Sequence, residues 1–338
     1  MSGRWTAGAP MAQARQFHTA TLLENGVVLV VGGASPTGDL ASVERFDPER
    51  NRWQAARPLA TARYYHSATL LGNGCVLVAG GFNGSYQRLT ELYDPALDRW
   101  SRAGDMRASN GLHSATLLGN GTVLVAGGYA DTGTLNHAEI FDPTQNSWHT
   151  AQALNVGRDY HSNTLLNDAT LLLVGGASAA GSVASAEIYD PRQNQWQLAA
   201  ALSQPRLRHT ATLLGNGCVL VAAGDDGACS YLTKVELYDP ASARWKAAGH
   251  LAFGREFCTA TRLPHEQVLI AGGDGSAGCL ASCEIYDAMG NGWSTAAPLA
   301  TARYLHTAIA LPDGRVLVAG GVGAKGALPS VEIFSLEA

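Results

Sequence analysis

The chain has 338 residues, of which 46% are hydrophobic and only 15% charged, and its formal net charge is −5. Lysine occurs only at positions 234, 246 and 325, so nearly all of the positive charge is arginine. With no basic block and no array of base-stacking aromatic residues, this composition argues against a nucleic-acid-binding groove. Residues 1–12 lack the apolar core of a signal peptide, and no apolar run reaches transmembrane length. We therefore expect a cytoplasmic protein without a membrane partner.

Taken in chain order, the sequence begins with a short strand-like segment around Trp5 and then repeats one unit. Residues 61–103 show this unit as four strand-length runs, separated by Asn-Gly, Gly-Gly and Asp-Pro turn signals. No run in the unit is long enough for a helix. The last run carries a tryptophan, and tryptophan recurs every 47 to 49 residues, at positions 5, 53, 100, 148, 196, 245 and 293.

Two further markers follow the same period, which makes the repeat the dominant feature of the sequence. A pair of small residues ends the second run of each unit, at Gly32-Gly33, Gly80-Gly81, Gly127-Gly128, Gly175-Gly176, Ala223-Gly224, Gly272-Gly273 and Gly320-Gly321. A glutamate lies in the third run, at Glu44, Glu91, Glu139, Glu187, Glu236, Glu284 and Glu332. Seven complete sets of markers predict seven structural units.

The phase of the first and last units predicts how the array closes. Trp5 precedes the first glycine pair, whereas the last unit ends after Phe334 without a tryptophan. The segment around Trp5 is therefore predicted to supply the outer strand of the last unit, so that no open end remains. One domain over residues 1–338 is expected, with repeats near 11–57, 58–104, 105–152, 153–200, 201–249, 250–297 and 298–338 plus 1–10.

A period near 48 with Gly-Gly, then Glu-x-Tyr/Phe-Asp-Pro and then Trp resembles the kelch repeat, and the resemblance covers the whole chain. It implies an all-β fold, a seven-bladed β-propeller of kelch repeats with four antiparallel strands per blade. It also implies that the first strand of each blade lines a central channel. The turn that leads into this strand would then form part of one mouth of the channel.

That first strand is preceded by an Arg-x-x-His pattern in most repeats. Six repeated histidines are better explained as structural hydrogen-bonding groups than as six ligands. The repeated arginine has two interpretations: a partner for the repeated glutamate, or a ring of guanidinium groups that binds anions at the mouth. In some kelch propellers that bind proteins, arginines near this turn hold acidic peptides. The arginines considered for ligand binding are Arg63, Arg158, Arg255 and Arg303.

The residues just before the histidine differ from repeat to repeat, and this asymmetry is what a specific site requires. Asp159, Arg208 and Glu256 come from three consecutive repeats, so they are predicted to be neighbours at the mouth. Two carboxylates beside an arginine can form a general acid/base pair, although they can equally be solvated rim residues. The other residues predicted to contact a ligand are Tyr64, Tyr65, Asn110, Tyr160, Cys258 and Tyr304.

The cysteines and the metal-binding residue types point to no cofactor. The six cysteines lack a CxxC spacing and are interpreted as free thiols, which fits the expected cytoplasmic location. Cys258 stands where other repeats have the histidine; as a nucleophile it would need His209 or His306 as a base. Galactose oxidase also contains kelch repeats, but its copper site draws on features beyond the repeat, and no segment here matches them. No metal site is predicted.

Two functions therefore remain open. The first is a small-molecule site in the central funnel for an anionic or carbonyl-bearing ligand, with non-redox acid/base chemistry of the isomerase, lyase or cyclase type. The second is an interaction module that recognises an acidic peptide or partner protein. The absence of BTB-type sequence favours the first, and a monomer is expected. The fold alone does not decide between them.

Overall fold

The computed structural model describes residues 3–228 and 230–337, and these form an all-β structure of seven four-stranded antiparallel sheets. The sheets are the blades of a propeller, numbered 1 to 7 in chain order. Cys229, one of the predicted free thiols, lies outside the described residues; Cys75, Cys218, Cys258, Cys279 and Cys283 are free. No helix among the described residues is long and apolar enough to cross a membrane.

Each blade contains an inner, a second, a third and an outer strand, hydrogen-bonded in that order. The inner strands are Thr19–Leu22, Ser67–Leu70, Ser114–Leu117, Ser162–Leu165, Thr210–Leu213, Thr259–Leu263 and Thr307–Ala310. The second strands are Val28–Val31, Val76–Ala79, Val123–Ala126, Leu171–Val174, Val219–Ala222, Gln267–Ala271 and Val316–Ala319. The second strands are fully buried apart from Gln267, because neighbouring blades cover both faces of each sheet.

The third and outer strands complete each blade. The third strands are Val43–Asp47, Thr90–Asp94, Ala138–Asp142, Ala186–Asp190, Lys234–Asp239, Cys283–Asp287 and Val331–Leu336. The outer strands are Arg52–Ala56, Arg99–Arg102, Ser147–Thr150, Gln195–Ala199, Arg244–His250, Gly292–Ala296 and, for blade 7, Gly3–Gly8.

Short two-stranded ribbons follow the glycine pair in five blades. Their strands are Ala34–Ser35 with Gly38–Asp39, Tyr129–Ala130 with Gly133–Thr134, Ala177–Ser178 with Gly181–Ser182, Asp274–Gly275 with Gly278–Cys279, and Val322–Gly323 with Gly326–Ala327. In blades 2 and 5 this ribbon is reduced to single bridges, Phe82 to Tyr86 and Asp225 to Tyr231.

The predicted closure of the ring is confirmed. The strand Gly3–Gly8 pairs antiparallel with Val331–Leu336, in a register that sets Trp5 opposite Phe334. The two rings pack with centroids 5.1 Å apart, and the Trp5 indole N–H donates to the carbonyl oxygen of Ala297 at 2.8 Å. Blade 7 is thus built from both ends of the chain, which ties the first residues to the last blade and removes an exposed sheet edge.

The hydrophobic core lies between blades. The cluster that joins blades 1 and 2, for example, contains Leu29, Val31, Val76, Val78 and Tyr93, and six further clusters of the same kind complete the ring. Each tryptophan packs on the third-strand aromatic ring of its own blade at 4.9 to 5.2 Å. The repeated tryptophan therefore has a structural role, as its size and periodicity suggest.

The glycine pair brings the loops of adjacent blades close together. Gly33 has φ +102°, and a Cβ atom there would lie 2.6 Å from the carbonyl oxygen of Gln16. A side chain at this position would therefore collide with the turn that leads to the inner strand. The first residue of the pair meets the next blade: a Cβ atom at Gly32 would lie 2.6 Å from the carbonyl oxygen of Arg63 and 2.9 Å from His66 Cε1. Ala223 takes this position in blade 5, with φ +65°, where the next blade has Cys258 in place of the histidine.

Candidate functional site

The repeated arginines lie inside the blades. The Arg63 side chain has no exposed surface; its Nη1 donates to the carbonyl oxygens of Gly80 and Leu89 at 2.8 Å, and its Nη2 to Glu91 Oε1 at 3.0 Å. The same arginine–glutamate pair, at 2.6 to 3.2 Å, joins Arg15 to Glu44, Arg158 to Glu187, Arg206 to Glu236, Arg255 to Glu284 and Arg303 to Glu332. The predicted pairing of the two repeated residues is confirmed.

This burial corrects the alternative interpretation of the arginines. The prediction that ligand binding involves Arg63, Arg158, Arg255 and Arg303 is wrong, because each has 0% exposed side chain. The guanidinium group turns into the blade because the carbonyl oxygens at the end of the second strand and the repeated glutamate together use its donors. None of the four can touch a ligand at the mouth in this arrangement, so they belong to the scaffold.

Asn110 is likewise a scaffold residue. It replaces the repeated arginine in blade 3, is 3% exposed, and donates its side-chain amide to the carbonyl oxygen of Gly127 at 2.7 Å. The repeated glutamate of this blade, Glu139, accepts the backbone N–H groups of Arg107 and Ala108 and lies 3.4 Å from His137 Nε2. The prediction that Asn110 lines a ligand site does not fit this buried position.

The repeated histidines join one blade to the next. His66 Nε2 lies 3.0 Å from Thr19 Oγ1 of the preceding blade. Equivalent contacts, at 2.7 to 3.0 Å, are made by His18, His113, His161, His209 and His306. Burial lowers the pKa of His66 to about 3, so the imidazole is neutral at physiological pH. These histidines are structural hydrogen-bonding groups, in agreement with the preferred interpretation of the sequence.

Cys258 fills the histidine position in blade 6 and is 9% exposed. Burial raises the pKa of its thiol to about 11, so the thiolate required of a nucleophile is scarce at neutral pH. The side chain belongs to the hydrophobic cluster between blades 5 and 6. The structure therefore places Cys258 in the core rather than at a ligand-binding surface.

The channel mouth is built from three residues per blade. The second residue before the histidine pairs with the residue after the glycine pair, as in the bridges of Tyr64 with Phe82, Asp159 with Ala177 and Glu256 with Asp274. The residue between bridge and histidine has a left-handed backbone in every blade, with φ from 50° to 59°, at Phe17, Tyr65, Leu112, Tyr160, Arg208, Phe257 and Leu305. We call these seven the neck residues. Their uncommon backbone is imposed by the scaffold, whereas their side chains vary.

The neck side chains meet across the channel. Tyr65 of blade 2 and Tyr160 of blade 4 have ring centroids 6.4 Å apart, and Tyr160 and Phe257 of blade 6 are 5.8 Å apart. The Tyr160 hydroxyl donates to the Tyr65 hydroxyl at 3.5 Å. Because these residues come from alternate blades, their contacts span the channel and form a floor to the mouth.

Arg208 is the one charged neck residue, and it sits in a cluster of opposite charges and aromatic rings. Its Nη1 lies 3.0 Å from Glu256 Oε2 and 3.5 Å from Asp225 Oδ2. Its guanidinium carbon is 5.0 Å from the ring centroids of both Tyr160 and Phe257. With 32% of its side chain exposed, Arg208 is the guanidinium group that a ligand in the mouth can reach. The predicted proximity of Arg208 and Glu256 is confirmed.

Glu256 titrates near neutrality. Burial raises the pKa of its carboxyl group to about 7; a hydrogen bond with Asp225 acts in the same direction, and the charge of Arg208 opposes it. The other oxygen of Asp225, Oδ1, accepts the backbone N–H of Gly227 at 2.7 Å, which fixes the orientation of that carboxylate toward Glu256. Glu256 can therefore be present in both protonation states at physiological pH.

Asp159 lies on the next blade but one from Glu256. Burial raises the pKa of its carboxyl group to about 6, although a hydrogen bond from Thr134 and the charge of Arg208 lower it in part. Thr134 Oγ1 donates to Asp159 Oδ2 at 3.3 Å. The Asp159 side chain, which belongs to blade 4, therefore accepts its hydrogen bond from the neighbouring blade 3. Its interaction with Arg208 is electrostatic and involves no direct contact.

The structure adds several residues to the mouth that the sequence analysis does not predict as members of the site, among them Phe17, Asp225, Phe257 and Asp274. Asp225 and Asp274 follow the glycine pairs of blades 5 and 6, and Asp274 Oδ2 accepts the Tyr231 hydroxyl at 3.0 Å. In blades 1 and 4 the same position is alanine. Comparing this position across the repeats marks both aspartates as irregular but does not show where their side chains reach.

Several surface cavities lie on the face of the propeller opposite the channel mouth. One of 420 Å³ is lined by Pro264, His265, Asp313, Gly314, Arg315 and residues 335–337. Arg315 and Asp313 pair with each other at 2.7 Å, and the remaining lining is largely turn backbone. Volume alone does not make a reactive site. Asp159 and Glu256, whose carboxyl pKa values are raised to about 6 and about 7, lie at the mouth, so we assign the candidate site there.

Comparisons with known proteins agree with the fold. The family profile of the Kelch motif matches residues 25–60, 62–107, 112–155 and 206–251. A fungal alcohol oxidase of the AA5 family, solved in complex with copper, aligns over 99% of this chain and 76% of its own, with a TM-score of 0.83 and 16% sequence identity. At this identity the likeness concerns the fold alone. A search of the curated proteins found no match.

Copper belongs to the description of that oxidase and is not transferred to this chain. Within residues 3–228 and 230–337, no group of three or more His, Cys, Asp or Glu side chains is arranged to hold a metal ion. The repeated histidines point their Nε2 atoms at hydroxyl groups of the neighbouring blade. The groups present at the mouth are carboxylates, one guanidinium and aromatic rings.

Proposed function

The chain belongs to the kelch-repeat family, and we propose that it binds a small carbonyl-bearing or anionic ligand at the mouth formed by blades 4 to 6. There it would catalyse a non-redox proton transfer, of the isomerase, lyase or cyclase type. The observation that carries this proposal is the partly exposed Arg208 beside Glu256, a carboxyl group with a pKa of about 7. Such a pair supplies a fixed positive charge and a proton that can be given or taken near neutral pH.

The proposed chemistry needs no oxidant or reductant. With Arg208 positioned near the ligand carbonyl oxygen, the Asp159 carboxylate takes a proton from the adjacent carbon, and the electron pair of that C–H bond moves toward the oxygen. The guanidinium group stabilises the resulting enolate, because a planar, permanently charged group suits a developing oxyanion. Protonated Glu256 then delivers a proton at another position, which completes the isomerisation of the ligand. Proton exchange with water returns Asp159 to the carboxylate and Glu256 to the acid before the next turnover.

Recognition of an acidic peptide has less support. That hypothesis relied on a ring of arginines at the mouth, and six of the repeated arginines have no exposed side-chain surface. Arg208 remains reachable, but it already contacts Glu256 and Asp225. A surface with this many carboxylates around one guanidinium group does not favour a strongly acidic partner.

Thermal-shift measurements with 2-oxoacids, hydroxyketones and an oligoglutamate peptide test the proposal. We expect at least one carbonyl compound to raise the melting temperature of the wild-type protein. Asp159→Ala, Arg208→Ala and Glu256→Gln should each weaken that effect while changing the melting temperature of the free protein by only a few degrees. Glu266→Gln is the matched control, because Glu266 also pairs with an arginine, Arg262, but away from the mouth.

Two results would contradict the proposal. If no carbonyl compound stabilises the protein, or if stabilisation survives all three mouth substitutions, the site is elsewhere. Stabilisation by oligoglutamate alone, abolished by Arg208→Ala, would favour the peptide-binding alternative instead.

A further inference from the structure

Half of the phenylalanine and tyrosine residues are gathered at the mouth. The sequence has seven Phe and 11 Tyr. Seven of these rings pack on the repeated tryptophans and belong to the scaffold. Another nine form one connected series of ring contacts on the mouth face: Phe17, Tyr64, Tyr65, Phe82, Tyr86, Tyr129, Tyr160, Phe257 and Tyr304. We call these nine the aromatic wall.

The series is continuous across several blades. Starting from blade 3, Tyr129 contacts Tyr86 at 5.6 Å, Tyr86 contacts Phe82 at 5.0 Å, and Phe82 contacts Tyr64 at 5.5 Å. Tyr64 and Tyr65 then lie 4.6 Å apart, which connects this part of the wall to the neck. Every ring of the wall is partly exposed, so the series presents aromatic surface to the mouth rather than filling a core.

The scaffold does not require these rings. At the position after the glycine pair, where blades 2 and 3 have Phe82 and Tyr129, blades 1 and 4 have alanine. At the first bridging position, where blade 2 has Tyr64, blade 3 has Gly111. Since the same backbone forms with small residues, the exposed rings are not needed for folding. A contiguous, partly exposed apolar surface of this kind is typical of a binding site.

The aromatic wall borders the charged part of the mouth. Tyr160 and Phe257 belong to the wall, and both lie 5.0 Å from the Arg208 guanidinium carbon. Arg208 in turn contacts Glu256. A ligand whose planar ring lies against Tyr160 and the adjoining Tyr65 would therefore present a substituent on that ring to the charged groups.

From this juxtaposition we infer that the ligand is an aromatic carbonyl compound, with its ring on the aromatic wall and its carbonyl group toward Arg208 and Glu256. The inference rests on the function proposed above and names its substrate class. Ring–ring contacts add to the burial of apolar area, by about threefold to tenfold in affinity for a well-placed aromatic pair. An aliphatic ligand of equal size would gain only the free energy of burying its apolar surface. A ligand without a ring would leave the aromatic wall uncovered.

Three 2-oxoacids provide the test, because they share the carbonyl and carboxylate groups and differ only in the side chain. Phenylpyruvate carries an aromatic ring, its cyclohexyl analogue a saturated ring of similar size, and pyruvate no ring. Binding would be titrated by calorimetry, and saturation-transfer NMR would identify the ligand protons closest to the protein. We expect phenylpyruvate to bind at least about fivefold more tightly than the cyclohexyl analogue, with the strongest transfer to its ring protons.

Substitutions locate the ring. Tyr65→Leu and Tyr160→Leu each remove a ring of the wall but keep an apolar side chain that the neck position already holds in blades 3 and 7. Each should lower phenylpyruvate affinity by about threefold to tenfold. Phe253→Leu is the matched control, since Phe253 is 56% exposed and lies outside the wall. It should leave the affinity unchanged. Two wall variants are needed so that a folding defect in one does not decide the result.

The outcomes separate this inference from the proposed function. Equal affinity for the phenyl and cyclohexyl compounds, or no loss in either wall variant, would overturn the aromatic class. If pyruvate and both ring compounds then bind alike in an Arg208-dependent manner, the proposed function still stands. If phenylpyruvate binding depends on Tyr65 but not on Arg208 or Glu256, the aromatic class stands and the proposed function fails. No binding of any of the three would overturn both.

Discussion

Two kinds of arginine–glutamate pair occur in this molecule, and they differ in what surrounds them. In blade 4, Arg158 and Glu187 lie 2.8 Å apart with no exposed side-chain surface. Backbone groups complete the pair: Arg158 also donates to two carbonyl oxygens, and Glu187 accepts two backbone N–H groups. At the mouth, Arg208 and Glu256 are 3.0 Å apart, 32% and 11% exposed, and their contacts are to side chains.

The difference shows how one residue combination serves two purposes. The hydrogen bonds of the blade 4 pair are used by the backbone that it holds together, so the pair has one arrangement. The mouth pair shares its guanidinium group with Asp225, and Glu256 has a pKa of about 7. Glu256 can therefore gain or lose a proton when a ligand binds, a property typical of functional sites.

The largest expected contrast comes from removing one arginine of each kind. Arg158→Leu leaves Glu187 buried without its cation and should lower the free energy of unfolding by about 3–5 kcal/mol. Arg208→Leu removes a partly exposed cation from two largely buried carboxyl groups, Glu256 and Asp225. Because Glu256 can remain protonated, only one uncompensated charge is left, and a smaller loss of about 1–2 kcal/mol is expected. Urea unfolding of both variants measures this contrast. Equal losses would mean that Arg208 is also a scaffold residue.

Double-mutant cycles sharpen the comparison by isolating each pair. For Arg63 and Glu91, replaced singly and together by alanine, we expect the two effects to be strongly non-additive, with a coupling energy of about 2–3 kcal/mol. For Arg208 and Glu256, replaced by alanine and glutamine, the coupling should stay below about 1 kcal/mol. A negligible coupling between Arg63 and Glu91 would contradict the scaffold role assigned to the repeated pair.

The pH dependence of stability provides a third test. Burial raises the pKa of Glu256 from about 4.5 in the unfolded chain to about 7 in the folded protein. The protonated form is thus favoured by folding, and its contribution is complete below pH 4.5 and lost as pH rises through 7. Between pH 5 and pH 8 the wild-type protein should lose stability, on the order of 2 kcal/mol, relative to Glu256→Gln. Parallel curves for the two proteins would exclude a titrating Glu256.

The smallest expected effect is a gain in the free energy of unfolding, obtained by changing two residues of blade 3. In blade 3, Asn110 stands where blade 4 has Arg158 of the scaffold pair. His137 stands where blade 4 has Ser185, which accepts a hydrogen bond from that arginine. The double substitution Asn110→Arg and His137→Ser rebuilds the arrangement of blade 4 and should raise the free energy of unfolding by about 1 kcal/mol. Thermal unfolding at pH 7 measures the gain. A loss would show that blade 3 packs differently around Glu139.

Much of the fold follows from the sequence because each repeated residue has one role that the backbone determines. The seven tryptophans and glycine pairs predict the blades, and the position of Trp5 predicts the closure with Phe334. The pairing of Arg63 with Glu91 is also predictable, since a buried guanidinium group needs a carboxylate. What the sequence does not show is the direction of the side chain. Arg63 therefore looked available to a ligand, although it turns away from the mouth.

The candidate site is less predictable because its contacts join loops from different blades. Arg208 meets Asp225 and Glu256, which are 17 and 48 residues away in the sequence. Comparing equivalent positions identified Asp159, Arg208 and Glu256, since these differ from the other repeats. Asp225 and Asp274 differ in the same way from Ala34 and Ala177 after the glycine pair. That difference marks an irregular repeat but does not show that the side chain reaches Glu256. The contact between Phe257 and Tyr160 depends on the left-handed backbone of the neck residues, which no local sequence pattern indicates.

The central claim is that Glu256 is a proton-exchanging group of the mouth, unlike the scaffold glutamates. Carbon NMR of protein labelled at the glutamate carboxyl carbons tests it most directly, with Glu256→Gln used to assign the signal. We predict that the Glu256 carboxyl group titrates with a pKa of about 7 in the ligand-free protein. In Asp225→Asn, which removes the carboxylate facing Glu256, this pKa should fall. A Glu256 signal that titrates at the ordinary value near 4.5, unchanged in Asp225→Asn, would contradict the account.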